Sequence, residues 1–310
     1  QYIKYIKYCD TIKKFKSLKI AILDYDILCP KALILAFEKN NIKTVATQER
    51  FIHTFYSSYA TVIVDTYYTI SKYTANLIKK SKYYDVKNLI PTGQYRADYL
   101  SLYKKKIVPN EISEAKENGK KILVFLGYHS PKHWFDSYSA LLTCWSSQIS
   151  FLEDTIKFSQ HLKNTFIILR YKGLDWPLKT EAYFKNILNK INDCENIIIS
   201  ENYNEPLYSY KLCANADLVI AKHTSLADEC LIHKIPVLFY NYTHNIKGTT
   251  SDAFDYLSSG LMCYDFEELL EKSKSLLFDS SSKLKDEINK LNKTIYYVKE
   301  RGNIKNKIIR

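Results

Sequence analysis

Short apolar segments of strand length alternate with longer segments of helical periodicity along most of this 310-residue chain, and this alternation constrains the fold more than any other feature. Residues 19–23 (KIAIL) form a first apolar run, and residues 30–39 (PKALILAFEK) follow with helical spacing. The same order returns at residues 121–126 (KILVFL) and 150–163. The pattern predicts an α/β fold with parallel sheets.

A polar stretch at residues 109–120 (PNEISEAKENGK) separates two series of such units. We therefore predict a first α/β domain over 1–108, a linker over 109–120, a second α/β domain over 121–265 and a helical tail over 266–310. A chain of 310 residues is long enough for two domains. Because the first series is short for a complete nucleotide-binding domain, we expect this domain to be either reduced or without an N-terminal portion.

The net charge of +12 predicts an anionic partner, which could be a phosphate-bearing substrate, a membrane surface or nucleic acid. The lysines are spread over the whole chain instead of clustering with aromatic residues, so we do not expect nucleic acid. An AT-rich genome would produce the same bias toward Lys, Ile, Tyr and Asn. The seven cysteines form no C-x-x-C pair, which indicates a reduced, cytoplasmic compartment.

Ligands of doubly wound sheets bind at the carboxyl ends of the strands, where helix N-termini offer free N–H groups to anions. In the second domain three strand ends carry cations, hydroxyl groups or a glycine, which suit a phosphate or diphosphate, although polar residues are also ordinary in turns. Neither G-x-G-x-x-G nor a P-loop motif is present, so a dehydrogenase or an NTPase is not expected. We predict that a phosphate-bearing donor substrate binds at Gly127, His129, Ser130, Lys132, Arg170, Lys172, His223, Thr224, Ser225 and Glu229.

Two adjacent acids in residues 224–229 (TSLADE) invite different interpretations. Ser225 and Asp228 fit the S-x-x-D pattern of a helix start, in which the hydroxyl group caps a backbone N–H and the acid reaches back. Glu229 lies about 100° further round the helix and cannot share that role. We expect Glu229 to face the ligand and to accept the hydroxyl groups of a nucleotide ribose, while Ser225 and the helix start hold phosphate.

The second domain resembles the C-terminal half of GT-B glycosyltransferases, most closely those that build bacterial surface polysaccharides. These are the capsule and lipopolysaccharide Kdo transferases and the CDP-glycerol glycerophosphotransferases. The segment 91–98 (PTGQYRAD) is similar to the TG-x-x-R-x-D that ends the N-terminal domain of such enzymes. The remaining resemblance lies in four segments, 204–208 (NEPLY), 216–220 (ADLVI), 224–229 (TSLADE) and 234–237 (KIPV).

The resemblance implies two Rossmann-like domains that face a cleft, with Ser225 and Glu229 in contact with the donor nucleotide. Two departures leave the acceptor-side chemistry open. Family members often carry R-x-H-P where residues 170–173 read RYKG, and many carry Gln-His-Gly where residues 47–50 read TQER.

Glycosyl transfer needs a carboxylate near the anomeric carbon, as a general base or as a nucleophile. Glu49 and Asp65 are the acids that follow two successive apolar runs of the first domain. We prefer Glu49, next to Arg50, and place Asp65 second; a surface ion pair is the alternative for Glu49. The sequence has no Asp-x-Asp motif in a supporting context, so we expect no metal ion and no cofactor.

The resemblance implies transfer of a sugar from a CMP-, CDP- or UDP-linked donor to a bacterial surface glycan or lipid-linked acceptor. Sugar-nucleotide 2-epimerases share the fold and the motif, and a non-catalytic module of the same fold is the third alternative.

The lysine-rich tail 272–310 could contact an anionic membrane at its cytoplasmic face, although an ordinary solvated helix explains it equally well. No apolar run approaches the roughly 20 residues of a membrane span.

Overall fold

A computed structural model describes the chain at residues 1–25, 30–48, 62–81, 84–104, 108–127, 145–171, 181–222, 224–242 and 259–296. The chain divides into two compact units, the first formed by residues 1–98 and 291–310 and the second by residues 99–290. Each unit contains a sheet whose paired strands are all parallel, flanked by helices. The predicted α/β fold class is confirmed.

The first unit contains a four-stranded sheet in the order β1-β2-β3-β4. Its strands are β1 Ile20–Tyr25, β2 Lys43–Gln48, β3 Val62–Thr69 and β4 Tyr84–Pro91. Its helices are α1 Tyr2–Ile12, α2 Lys31–Lys39 and α3 Lys72–Ser81.

Helix α2 buries Ile34 and Ala36 on different sides, and these residues belong to two separate core clusters of the first unit. Ile34 packs with residues of β2, β3 and α3, while Ala36 packs with Cys9 and Ile12 of α1. Residues two positions apart lie about 200° apart around a helix, so α2 packs between the two clusters.

The second unit contains a six-stranded parallel sheet in the order β10-β9-β8-β5-β6-β7. Its strands are β5 Lys121–Leu126, β6 Thr165–Arg170, β7 Ile197–Ser200, β8 Leu218–Ala221, β9 Val237–Tyr240 and β10 Met262–Cys263. Its strands β5 to β9 are almost continuous apolar runs because both faces of a parallel sheet are covered.

The helices that follow along the chain are α4 Asp98–Tyr103, α5 Asn110–Glu117, α6 Trp145–His161, α7 Lys185–Asn192, α8 Tyr208–Ala214, α9 Ser225–Ile232, α10 Phe266–Phe278 and α11 Lys283–Thr294. Helix α5 occupies most of the stretch 109–120 that we interpret as a linker, and its Ile112 and Ala115 are buried. In the parts of the chain that the structure describes, none of the helices is long and apolar enough to cross a membrane.

Strand β5 is the first strand of the second sheet along the chain, and the later strands extend from it in both directions. β6 pairs with one side of β5 and β8 pairs with the other. The gap between the carboxyl ends of β5 and β8 is therefore the topological switch point, where ligands of such sheets bind.

Candidate functional site

The start of α9 directly follows β8 at this switch point, and it carries three of the predicted donor-binding residues: Thr224, Ser225 and Glu229. Gly127 follows β5, and Arg170 is the last residue of β6. The structure thus brings these five residues to the carboxyl edge of one sheet. The predicted site residues that lie outside the described parts of the chain are His129, Ser130, Lys132, Lys172, His223, Glu49 and Arg50.

Thr224, and not Ser225, is the N-cap of α9. Its backbone is extended, and its hydroxyl oxygen accepts a hydrogen bond from the backbone N–H of Leu226 at 3.4 Å. Ser225 is the first helical residue, so the expected S-x-x-D capping box is wrong by one position and Asp228 lies beyond the reach of that motif. The hydroxyl group of Ser225 is consequently not the one that caps the helix.

Glu229 lies one turn into α9 and is fully buried, with 0% of its surface exposed. Glutamate is rarely buried to this degree, because removing a carboxylate from water is costly unless other groups stabilise it. The sequence predicts a Glu229 that is accessible to a ligand, whereas the structure covers it. A ligand would reach this carboxylate only by displacing the groups that now surround it.

Lys222 is a buried cation at the carboxyl end of β8, one position after the last strand residue. Its Nζ donates a hydrogen bond to Oδ1 of Asn241 at 2.7 Å and lies 5.8 Å from the ring centroid of Tyr242. Asn241 and Tyr242 directly follow β9, so these contacts join the ends of two adjacent strands. The sequence shows Lys222 as the first residue of the polar run after this strand, but our set of predicted donor-binding residues begins that run at His223.

Tyr171 extends this buried polar network across the switch point. Its hydroxyl group donates to Oε1 of Gln148 at 2.9 Å, and Nε2 of Gln148 donates to the hydroxyl oxygen of Tyr242 at 3.3 Å. Burial raises the pKa of Tyr171 well above its ordinary value. Gln148 is itself buried on α6, and the sequence signal for it is a polar residue within the apolar face of that helix. The ends of β6 and β9 are therefore joined through Gln148 by hydrogen bonds between neutral groups.

Gly127 lies directly against the ring of Tyr171, and a Cβ atom at this position would overlap that ring. The sequence suggests that Gly127 allows a phosphate to approach the backbone. The structure supplies a different reason for glycine, because the absence of a side chain at residue 127 makes room for the aromatic ring of Tyr171.

Arg170 is 5% exposed, and its guanidinium group donates hydrogen bonds to protein acceptors. Nε donates to the hydroxyl oxygen of Ser209 at 3.0 Å, Nη1 to the carbonyl oxygen of Ser200 at 3.3 Å, and Nη2 to the carbonyl oxygen of Asn202 at 3.0 Å. The guanidinium carbon also lies 4.3 Å from the ring centroid of Tyr203. Burial lowers the pKa of Arg170. These contacts leave little of the group for a phosphate, so we do not retain Arg170 as a donor ligand.

Asp65 lies in the middle of β3, so the expectation that it ends a strand is wrong. One carboxylate oxygen accepts hydrogen bonds from the backbone N–H of Thr44 at 2.8 Å and from its hydroxyl group at 3.1 Å, and the other accepts one from Nζ of Lys87 at 2.5 Å. Asp65 thereby ties together β2, β3 and β4, away from the carboxyl edge of the sheet. Thr69, which is buried, is the last residue of β3.

The contacts of Asp65 predict that the first unit loses stability in acid. Burial opposes ionisation of the carboxyl group, but the hydrogen bonds from Lys87 and Thr44 outweigh it and lower the pKa of Asp65. A carboxylate with a lowered folded-state pKa stabilises the fold above its unfolded-state pKa of about 3.9 and loses this contribution as the pH falls below that value. Hydrogen exchange of peptides from β2 to β4 between about pH 6 and pH 3 measures the loss.

Asp65→Asn is the matched variant, because it removes the titrating group and keeps the shape of the side chain. We expect this variant to be less protected near neutral pH and to show a weaker pH dependence than the natural chain. If hydrogen exchange in β2 to β4 depends on pH equally in the two proteins, Asp65 is not the group that causes the loss of stability in acid.

No family model and no curated protein matches this chain. Solved structures do resemble it. A Listeria monocytogenes protein assigned as a UDP-N-acetylglucosamine 2-epimerase aligns with a TM-score of 0.62 at 14% identity, over 92% of this chain and 72% of the other. The UDP-N-acetylglucosamine 2-epimerase of Neisseria meningitidis, bound to UDP-N-acetylglucosamine, aligns with a TM-score of 0.59 at 13% identity, over 98% and 78%.

The wall teichoic acid polymerase TagF aligns with a TM-score of 0.53 at 14% identity, over 89% of this chain and 67% of TagF. The chain has a GT-B-like fold. At such identities the likeness establishes the fold alone, and the GT-B-like fold is shared here by epimerases and by a polymerase.

Proposed function

We propose that this GT-B-like chain acts on a nucleotide-activated sugar, with 2-epimerisation of a UDP-N-acetylhexosamine as its activity. Two of the structural neighbours are named UDP-N-acetylglucosamine 2-epimerases, and one of them contains UDP-N-acetylglucosamine. Glu229, fully buried one turn into α9 beside the switch point, is the observation that carries the proposal. A ribose hydroxyl group is a suitable donor to such a carboxylate, because hydrogen bonds to charged groups are strong in a site without water.

In this proposal the nucleotide lies across the start of α9. The phosphates approach the start of α9, where the helix dipole favours negative charge. The ribose displaces the groups that cover Glu229. Lys222 and Asn241 hold the ends of β8 and β9 in place behind the helix start.

Glu229→Gln tests the ribose contact, because it removes the charge and keeps the volume. We expect the affinity for UDP, measured by isothermal titration calorimetry, to fall by about tenfold or more, as for the loss of a charge-assisted hydrogen bond. Asp228→Asn is the matched control on the same helix, and it should bind UDP as the natural chain does. A Glu229→Gln variant that folds and binds UDP normally would contradict the proposed contact between Glu229 and the ribose.

Incubation with UDP-N-acetylglucosamine alone in deuterated water tests the reaction. Inversion at C2 breaks the C2–H bond, so an epimerase produces the C2 epimer with deuterium at C2, which NMR detects. A donor that stays unchanged while UDP binds would contradict the epimerase proposal and favour a transferase.

A transferase is the second candidate, and the resemblance of residues 204–237 to glycerophosphate and glycosyl transferases favours it. The likeness to TagF is consistent with this candidate. It predicts transfer from a CMP-, CDP- or UDP-linked donor only when an acceptor is added, and the same calorimetric panel would show which of these nucleotides binds. Failure to bind any of these nucleotides would instead indicate a non-catalytic module.

A further inference from the structure

Three aromatic side chains cluster at the starts of α6 and α7. Trp145 is the first residue of α6, and Tyr183 and Phe184 lie in the short turn Ala182–Phe184 that leads into α7. The ring centroids of Trp145 and Tyr183 are 5.8 Å apart, with 33° between the planes. The ring of Phe184 packs edge-on against both, at 5.4 Å and 5.1 Å.

The three rings differ in exposure. Phe184 is fully buried, Trp145 is partly exposed, and Tyr183 is 56% exposed. Phe184 therefore anchors the cluster in the core, while the other two rings reach the surface. Exposed aromatic groups that are held in place in this way commonly mark a contact surface. We name Trp145 and Tyr183 together the aromatic platform.

The aromatic platform lies on the ligand-binding side of the second sheet. Helix α6 connects β5 to β6, and α7 connects β6 to β7, and these strands are parallel. A helix that connects two parallel strands runs back from the carboxyl edge of the sheet, so both helices start at that edge. The same edge carries the start of α9 and Glu229.

Gln148 shows that the platform is near the switch point. Its amide group is hydrogen-bonded to Tyr171, which follows β6, and to Tyr242, which follows β9, so it lies at the strand ends. Trp145 is three positions before Gln148 on α6, and it therefore lies on the same side of the helix, one turn nearer its start. The ring of Trp145 thus stands about one turn beyond the strand ends.

The chemistry of the platform suits a saccharide ring. One face of a hexopyranose presents C–H groups, which are slightly positive and pack on the negative face of an aromatic ring. Tyrosine and tryptophan also carry a polar group at the ring margin, which suits the hydroxyl groups of a sugar. A base would find no slot between parallel rings here, because the two planes are tilted by 33° and their centroids are only 5.8 Å apart.

We propose that the aromatic platform holds the sugar ring of the nucleotide sugar, with the C–H face of the pyranose against Tyr183. The inference rests on the proposed function, because it takes the phosphates to lie at the start of α9 and the sugar beyond them. It makes Tyr183 the residue that distinguishes a nucleotide sugar from the nucleotide alone.

Calorimetric titration of the full chain with UDP and with UDP-N-acetylglucosamine tests the inference. We expect Tyr183→Ala to weaken binding of the nucleotide sugar by about fivefold, as for the loss of one aromatic contact, and to leave binding of UDP unchanged. Tyr183→Phe keeps the ring and should retain most of the affinity for the nucleotide sugar. Because Tyr183 is more than half exposed, both variants should fold, which circular dichroism checks.

Phe278→Ser is the matched control, because it removes another exposed aromatic side chain of the second unit, on α10. It should bind both ligands as the natural chain does. Saturation-transfer difference NMR supplies a second readout. Irradiation of the aromatic protons of the protein should saturate the sugar-ring protons less in Tyr183→Ala than in the natural chain, with the ribose signals unchanged.

Four results would overturn the inference. If Tyr183→Ala weakens UDP and the nucleotide sugar equally, the platform contacts the nucleotide and not the sugar. If it weakens neither while UDP still binds, the inference fails and the proposed function stands. If it abolishes only the binding of a free N-acetylglucosamine oligosaccharide, the platform belongs to a separate glycan. A natural chain that binds neither UDP nor the nucleotide sugar would reject the proposed function and this inference with it.

Discussion

Replacing Arg170 with methionine is expected to destabilise the second unit by about 3 to 5 kcal/mol. The guanidinium group joins the end of β6 to the carbonyl oxygens of Ser200 and Asn202 and to the hydroxyl group of Ser209. Methionine fills part of the volume but donates no hydrogen bond, so buried acceptors lose their partner. Urea unfolding followed by tryptophan fluorescence measures the effect on this unit, because Trp134, Trp145 and Trp176 all lie within residues 99–290.

Ser209→Ala and Arg170→Lys separate the parts of this interaction. Ser209→Ala removes one acceptor and should cost about 1 kcal/mol. Arg170→Lys keeps the charge but loses the planar fork that contacts acceptors on three residues, so it should recover less than half of the lost stability. A cost below about 1 kcal/mol for Arg170→Met would contradict the structural role. Loss of UDP binding in a stable Arg170→Lys variant would restore the phosphate role that the sequence suggests.

The strands of the second sheet could be predicted because their signal is local. β5 coincides with the apolar run at 121–126, since strands covered on both faces are apolar throughout. The order of the strands within the sheet is seen only in the structure, but the strand ends to inspect were predictable because the carboxyl ends of parallel strands meet at one edge. This is why Gly127, Thr224 and Glu229 lie at one edge of the sheet.

The environments of individual side chains could not be predicted, because their partners are distant in the sequence. Asp65 interrupts an apolar run, which suggests a strand end, but Lys87 of the neighbouring strand neutralises it and the strand continues. Arg170 looks like a free cation until Ser200 and Ser209 approach it from 30 and 39 positions away. The one-residue difference between Thr224 and Ser225 as the cap arises because both residue types are good caps.

Among the glycines whose surroundings the structure describes, Gly127 is the one where an added methyl group is expected to cost most. Gly127→Ala places a Cβ atom inside the volume of the Tyr171 ring. The ring cannot move freely, because its hydroxyl group is held by Gln148 and the side chain is buried. We expect a loss of about 3 kcal/mol in the free energy of unfolding, as for other overpacked cores. Tryptophan fluorescence during urea unfolding measures it.

A double-mutant cycle shows whether the ring is the cause. Tyr171→Val removes the ring, so adding Gly127→Ala to this variant should cost less than about 0.5 kcal/mol, whereas Tyr171→Phe keeps the ring and should keep the cost. Gly119→Ala is the control for backbone strain, because Gly119 has a φ of +70° and open space around it. If Gly127→Ala costs no more than this control, about 1 kcal/mol, the ring is not what requires glycine at residue 127. The residue would then be available again for the nucleotide phosphates that the sequence places there.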